Sequence, residues 1–225
     1  MFFDRFSTKI AMIDKNFPPY YLKRNALDFV AQISSDMENS GLPNCPSIII
    51  GGAQRCGKSI VAKWISEDLQ MFHLKSDYVR DSLYGELKGK QKRWSASYVF
   101  KRILNLFPQG VLAEGTVFTD NAKSVPIWAN KNERNIQVYI IGSASDFRKK
   151  YEAMSSFRKY NPCWTSKKLD ESQLLNLAKH ITEKSAANKE LCLKYGFTYF
   201  DIDPLNFSRD LTKVVTKIKN NILFT

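Results

Sequence analysis

The stretch Ser47-Ile48-Ile49-Ile50-Gly51-Gly52-Ala53-Gln54-Arg55-Cys56-Gly57-Lys58-Ser59 decides the fold. Three consecutive isoleucines with no polar interruption suit a parallel strand buried on both faces. The chain then runs into the pattern G-x-x-x-x-G-K-[ST]. Gly52 to Ser59 meet it at every position, and average residue usage yields such a match in about one chain in a hundred of this length. Lys58 to Leu69 continues with helical spacing. A strand, a glycine loop and a helix in that order let successive backbone N–H groups and a helix N-terminus surround phosphate oxygens.

Within the loop, Gly52 and Gly57 permit backbone conformations and a close approach to phosphate that a side chain would obstruct. Ala53, Gln54, Arg55 and Cys56 complete the cradle, and Cys56 is either a reactive thiol near a helix N-terminus or a small residue that fits there. Lys58 is placed to reach the β- and γ-phosphates of a nucleotide. Ser59 is placed to give its hydroxyl to Mg²⁺, whose other ligands would be phosphate oxygens and water.

Outward from the loop, strands and helices alternate. Arg24 to Asn39 carries Ala26, Leu27, Phe29, Val30, Ile33 and Met37 at helical spacing before Gly41-Leu42-Pro43 stops it. Phe72-His73-Leu74, Gly110 to Gly115, Gln137 to Gly142 and Phe197 to Ile202 read as strands. Helical patterns occupy most of Tyr78 to Phe107, then Asp146 to Phe157, Ser172 to Tyr195 and Asp210 to Ile222. A short helix over 121 to 130 is expected to be interrupted at Pro126. The prediction is an α/β fold with a five-stranded parallel sheet and helices on both faces.

At 225 residues the chain suits one domain, with residues 1 to 46 as an N-terminal helical extension and 47 to 225 as the phosphate-binding domain. No apolar run reaches the roughly 20 residues that span a bilayer, and the N-terminus shows no secretory pattern. Four cysteines, Cys45, Cys56, Cys163 and Cys192, form neither metal pairs nor a disulfide framework, so free thiols and a cytoplasmic setting are expected. The net charge is +12, and residues 1 to 46 are balanced, so the whole excess lies in the domain with the loop. The basic stretch from 88 to 102 holds Lys88, Lys90, Lys92, Arg93, Lys101 and Arg102 with no acid among them. It reads either as a surface for nucleic acid or another polyanion, with Trp94, Tyr98 and Phe100 as stacking groups, or as a solvated face beside core aromatics. His73 and His180 have no companions that would make a metal site, and His73 reads as structural.

Ser76-Asp77-Tyr78-Val79-Arg80 and Leu112-Ala113-Glu114-Gly115-Thr116 complete a set with the glycine loop. On these three motifs the chain from about Ser47 onward resembles the P-loop kinases of the nucleoside-monophosphate-kinase superfamily. The closest pattern is the branch of polynucleotide 5'-hydroxyl kinases, zeta toxins and antibiotic phosphotransferases. The resemblance implies ATP and Mg²⁺ as cofactors, Lys58 on the transferred phosphate, Asp77 as the base that takes the proton of the attacking hydroxyl, and Arg80 on substrate or phosphate. Asp77 also has the alternative of capping a helix. Glu114, at the end of an apolar strand, needs a cation or a hydrogen-bond partner and falls either behind the metal or beside the acceptor. The resemblance further implies a lid, placed at about 156 to 169, with Arg148 and Arg158 as its candidate cations, although the family's Arg-x-x-x-Arg spacing is absent there.

The function expected is transfer of the γ-phosphate of ATP to a hydroxyl of a small molecule or nucleic acid. Two alternatives stay open: a nucleoside-monophosphate kinase, and a non-catalytic ATP-dependent binding or regulatory protein. The oligomeric state is open.

Overall fold

The computed structural model describes residues 20–83, 90–120, 123–131, 135–160 and 169–223. Helix α1 (Tyr20–Ser40) leads into strand β1 (Ser47–Gly52), followed by α2 (Lys58–Asp68), β2 (Phe72–Lys75), α3 (Ser76–Leu83) and α4 (Lys90–Leu106). Then come β3 (Val111–Glu114), α5 (Ser124–Lys131), β4 (Ile136–Gly142), α6 (Phe147–Tyr160), α7 (Glu171–Tyr195), β5 (Thr198–Asp201) and α8 (Phe207–Leu223).

All five strands pair in parallel, in the order β2-β3-β1-β4-β5. The chain crosses β1 between β3 and β4, so the strand order reverses at β1. Ligands of open parallel sheets bind at the carboxyl ends of the strands beside such a reversal. That is where the glycine loop lies.

Alternate β1 residues face opposite cores. Ile49 joins Ala26, Phe29, Ile33 and Met37 of α1 and Val99, Phe100 and Ile103 of α4 on one face. Ile48 and Ile50 join Val61 and Ile65 of α2 and Leu211, Val215 and Ile218 of α8 on the other. The apolar stripe of α1 is therefore buried in the same core as α4 rather than left open.

Three details differ from the sequence reading. Helix α3 begins at Ser76, which puts Asp77 inside its first turn instead of at the cap. Helix α5 starts at Ser124, so Pro126 lies within the first turn, where its missing N–H leaves no helical bond unmade, and the helix is not interrupted. Helix α7 starts at Glu171, fixed by a capping box in which the Asp170 carboxylate accepts the Gln173 N–H and the Gln173 side chain accepts the Asp170 N–H.

Tyr98 and Arg102 are half-buried on α4, and Phe100 is fully buried in the core. The lysines and Arg93 of the stretch from 88 to 93, and Trp94, lie outside the residues whose side chains are described. His73 on β2 is half-buried and its Nε2 has no hydrogen-bond partner among the described residues. Burial, helped by Lys75, pushes its pKa down to about 4, so it is a neutral structural residue. Cys45, Cys56 and Cys192 are free thiols, and Cys163 lies outside the described residues. No described helix is long and apolar enough to cross a membrane.

Candidate functional site

The loop follows directly from the carboxyl end of β1. Gly52 has φ +136°, and a Cβ there would lie 1.8 Å from the Ile141 carbonyl oxygen of β4, so only glycine fits. Gly57 caps α2 in the left-handed region at φ 86°, and its carbonyl accepts the Ile60 and Val61 N–H groups, both at 3.0 Å. Cys56 between them is fully buried, and its thiol donates to the Gln54 carbonyl at 3.4 Å.

Lys58 is 6% exposed and its Nζ donates to the Ala53 carbonyl at 2.7 Å, so the ammonium is folded back over the loop. Burial pushes its pKa down, while Cys56, Glu114, Asp120 and Asp77 act in the opposite direction. Ser59 Oγ donates to Glu114 Oε1 at 3.2 Å. Glu114, buried at the end of β3, pairs in register with Ile50 of β1 on one side and Lys75 of β2 on the other. Burial raises its pKa, opposed by Lys58 and by the Ser59 hydrogen bond. Loop, serine and carboxylate thus meet at the ends of two adjacent strands.

Beside the loop lies a cavity of about 370 Å³, walled by Arg55, Lys58, Lys150, Met154, Phe157 and Phe207 among others. Its volume is within the range of small-ligand sites. The turn between β5 and α8 leads directly into Phe207, the first residue of α8, and is pinned by two acids. Asp203 accepts the Leu205 N–H at 3.0 Å, and Asp210 accepts the Asp203 N–H at 3.1 Å. Apolar walls with a cationic edge next to a phosphate cradle suit a flat heterocycle carrying an anionic tail.

On the other side of the loop, Asp77 and Arg80 of α3 form an ion pair at 3.2 Å, and Arg80 Nε also reaches Asp81 at 3.0 Å. Both side chains are largely in solvent, 77% exposed for Asp77 and 53% for Arg80. Gly115 lets the end of β3 approach the start of α3, because a Cβ there would lie 2.0 Å from Ser76 Oγ. Asp77 is close enough to Lys58 and Glu114 to influence both.

Among the described residues, neither lid candidate is bonded to the loop. Arg148 is exposed, with its guanidinium over the Phe147 ring. Arg158 donates to the Leu169 carbonyl at 3.2 Å and pairs with Glu171, which ties the end of α6 to the start of α7. Residues 161–168 of the expected lid lie outside the described residues.

Lys150 of α6, 3% exposed, does reach the loop: its Nζ donates to the Arg55 carbonyl at 2.8 Å. Sequence reading passed over it in the run Arg148-Lys149-Lys150. The signal was its spacing of four to Met154, which puts it on the buried face of the helix. Asp120 was also passed over. It follows the 3-10 turn Thr116–Phe118 after β3, acts on Lys58, and is paired with Lys184 of α7.

No protein-family model matches the sequence, and no curated protein matches it. Among solved structures the chain is similar to shikimate kinase from Bacteroides thetaiotaomicron, at 13% identity over 78% of this chain and 97% of that one, with a TM-score of 0.53. It is also similar to shikimate kinase from Acinetobacter baumannii in complex with shikimate, at 14% identity over 82% of this chain and 97% of that one, with a TM-score of 0.51. At such identities the likeness shows the fold alone, an α/β fold with a five-stranded parallel sheet that this chain shares with those kinases.

Proposed function

We propose that this chain is an ATP-dependent kinase that uses Mg²⁺ and moves the γ-phosphate of ATP to a hydroxyl of a small molecule. The observation that carries the reading is the meeting of Lys58, Ser59 and Glu114 at the ends of β1 and β3 beside the cavity. The fold likeness to kinases of a small hydroxylated acid supports it.

The residues fit a magnesium ion. Magnesium prefers few protein ligands and keeps phosphate and water oxygens. The Ser59 hydroxyl offers one ligand, with the Glu114 carboxylate behind it. When bound, the ion would supply positive charge that offsets the negative charge of the nucleotide's phosphates.

The chain's own residues do the rest. Backbone N–H groups from Gly52 to Ser59 would cradle the β-phosphate, and the cavity lined by Phe207 would take the base. Lys58 leaves the Ala53 carbonyl for the γ-phosphate, where its charge stabilises the equatorial oxygens. Asp77 orients the acceptor hydroxyl and takes its proton. The acceptor oxygen then bonds to the γ-phosphorus as the bond to the bridging oxygen breaks and ADP leaves. Arg80, freed from Asp77 when the acceptor arrives, holds the acceptor or the transferred phosphoryl group.

The test is ADP release from Mg-ATP, alone and with panels of hydroxylated acids, sugars, nucleosides, nucleoside monophosphates, aminoglycosides and 5'-hydroxyl oligonucleotides, with Lys58→Ala as control. ADP formation that depends on one panel and vanishes in the control is expected. Tight ATP binding with no turnover on any panel would overturn the kinase reading in favour of a nucleotide-dependent binding protein. Turnover on nucleoside monophosphates alone would replace the hydroxyl by a phosphate acceptor.

A further inference from the structure

Lys58 and Lys150 are the two buried lysines among the described residues. Lys58 belongs to the phosphate loop, but Lys150 comes from α6 and has no evident reason to be inside. Among the described residues no carboxylate pairs with it, and burial pushes its pKa down, with Cys56 acting the other way. A lone buried ammonium is unfavourable unless its hydrogen bond does something the fold needs.

Its partner is unusual too. Arg55, whose carbonyl Lys150 holds at 2.8 Å, lies in the left-handed region at φ 54°, where a residue with a Cβ is strained. The site where a phosphate cradle needs a left-handed turn is occupied here by a bulky side chain. Relaxing φ to negative values would swing the Arg55 carbonyl off the ammonium, so the bond opposes that relaxation. The Arg55 guanidinium also lies 6.0 Å from the centre of the Phe157 ring, which ties the same residue to α6 a second time.

We propose that Lys150 is a positioning residue of the phosphate loop: its ammonium, held by the Arg55 carbonyl, locks the left-handed turn and keeps the cradle ready for phosphate before any ligand arrives. Its effect on affinity rests on the nucleotide-binding reading above, and its effect on the empty loop does not.

The experiment is a double-mutant cycle with Lys150→Met, Arg55→Gly and the double variant, each read by amide hydrogen exchange of the peptide covering residues 53–58 without nucleotide and by the dissociation constant for Mg-ATP. In Lys150→Met, exchange of that peptide should quicken and Mg-ATP should bind roughly tenfold more weakly, the factor that corresponds to the left-handed penalty. Glycine enters the left-handed region freely. In the Arg55→Gly background the lysine substitution should therefore change Mg-ATP affinity by no more than about twofold. Lys150→Arg, which keeps a donor, should retain slow exchange and guards against misreading a folding defect in the methionine variant.

Equal loss of affinity in both backgrounds, with unchanged exchange, would overturn the proposal and make Lys150 a direct nucleotide contact. A wild-type protein that does not bind Mg-ATP would sink the kinase reading, and the exchange comparison would still decide the role of Lys150.

Discussion

The two halves of the site are built differently. On the side proposed for the nucleotide, Lys58, Glu114 and Lys150 are all less than a tenth exposed, and each is held by a hydrogen bond to the loop's main chain or to its serine. On the side proposed for the acceptor, Asp77 and Arg80 stand in water on an eight-residue helix, partnered by one another and by Asp81. Burial forces a charged group to have a defined partner, because an unpaired one is costly. An exposed ion pair contributes about 1 kcal/mol or less and leaves its members free to exchange partners. On the kinase reading proposed here, the buried half is set before ligand arrives, whereas the exposed pair is free to change partners when an acceptor binds.

The largest test of this contrast is Lys58→Ala. Removing the cation aimed at the transferred phosphate should lower acceptor-dependent ADP formation about a thousandfold. Weaker Mg-ATP binding should accompany that loss, because the same side chain serves ground state and transition state. A variant that kept activity within tenfold would show that the loop does not carry the chemistry. Next comes Asp77→Asn, expected to lower transfer about a hundredfold, the ordinary effect of losing a general base. Here Mg-ATP affinity should be unchanged by isothermal titration, and stability should change by less than about 0.5 kcal/mol, as for other exposed positions. If Asp77→Asn weakened ATP binding as much as Lys58→Ala, the two halves would not be separable.

The same contrast explains what the sequence made legible. Ile48, Ile49 and Ile50 and the loop after them were readable because a strand buried on both faces excludes polar residues and the loop pattern fixes residue type at Gly52, Gly57, Lys58 and Ser59. Glu114 was readable for a related reason, since an acid at the end of an apolar strand demands a partner, and Ser59 provides one. Lys150 was not, because its neighbours Arg148 and Lys149 have the same charge and only the face of α6 separates a buried lysine from a solvated one. Asp120 was missed because it lies in a turn with no periodicity and gains its place through Lys184, distant in sequence. The alternative of a cap at Asp77 misses by one residue, because the helix takes in Ser76, and boundaries of short helices depend on contacts such as that of Ser76 with Gly115.

The smallest effect expected, and the one that best separates function from stability, belongs to Glu114→Gln. A carboxylate acting behind a metal-binding hydroxyl orients it, and losing such a partner should lower activity about tenfold. Gln keeps the shape and an oxygen that can accept the Ser59 hydrogen bond, so the fold is not disturbed. Burial raises the pKa of Glu114 in the folded protein. The folded state therefore holds this proton more tightly than the unfolded state does. The stability contributed by the carboxyl is complete below its unfolded pKa and is lost as pH rises through the raised folded value. Above that raised value the folded wild-type protein carries a buried carboxylate that weakens it, and Glu114→Gln removes that weakness. Thermal unfolding without nucleotide should give a higher midpoint for the variant at pH 8, by about 3 °C for each kcal/mol relieved, and a smaller gain at pH 4. A lower midpoint at pH 8 would mean that Lys58 and Ser59 already compensate the charge in the empty protein. A higher midpoint combined with weaker activity would show a nucleotide half that keeps its acid for the metal at the expense of its own stability.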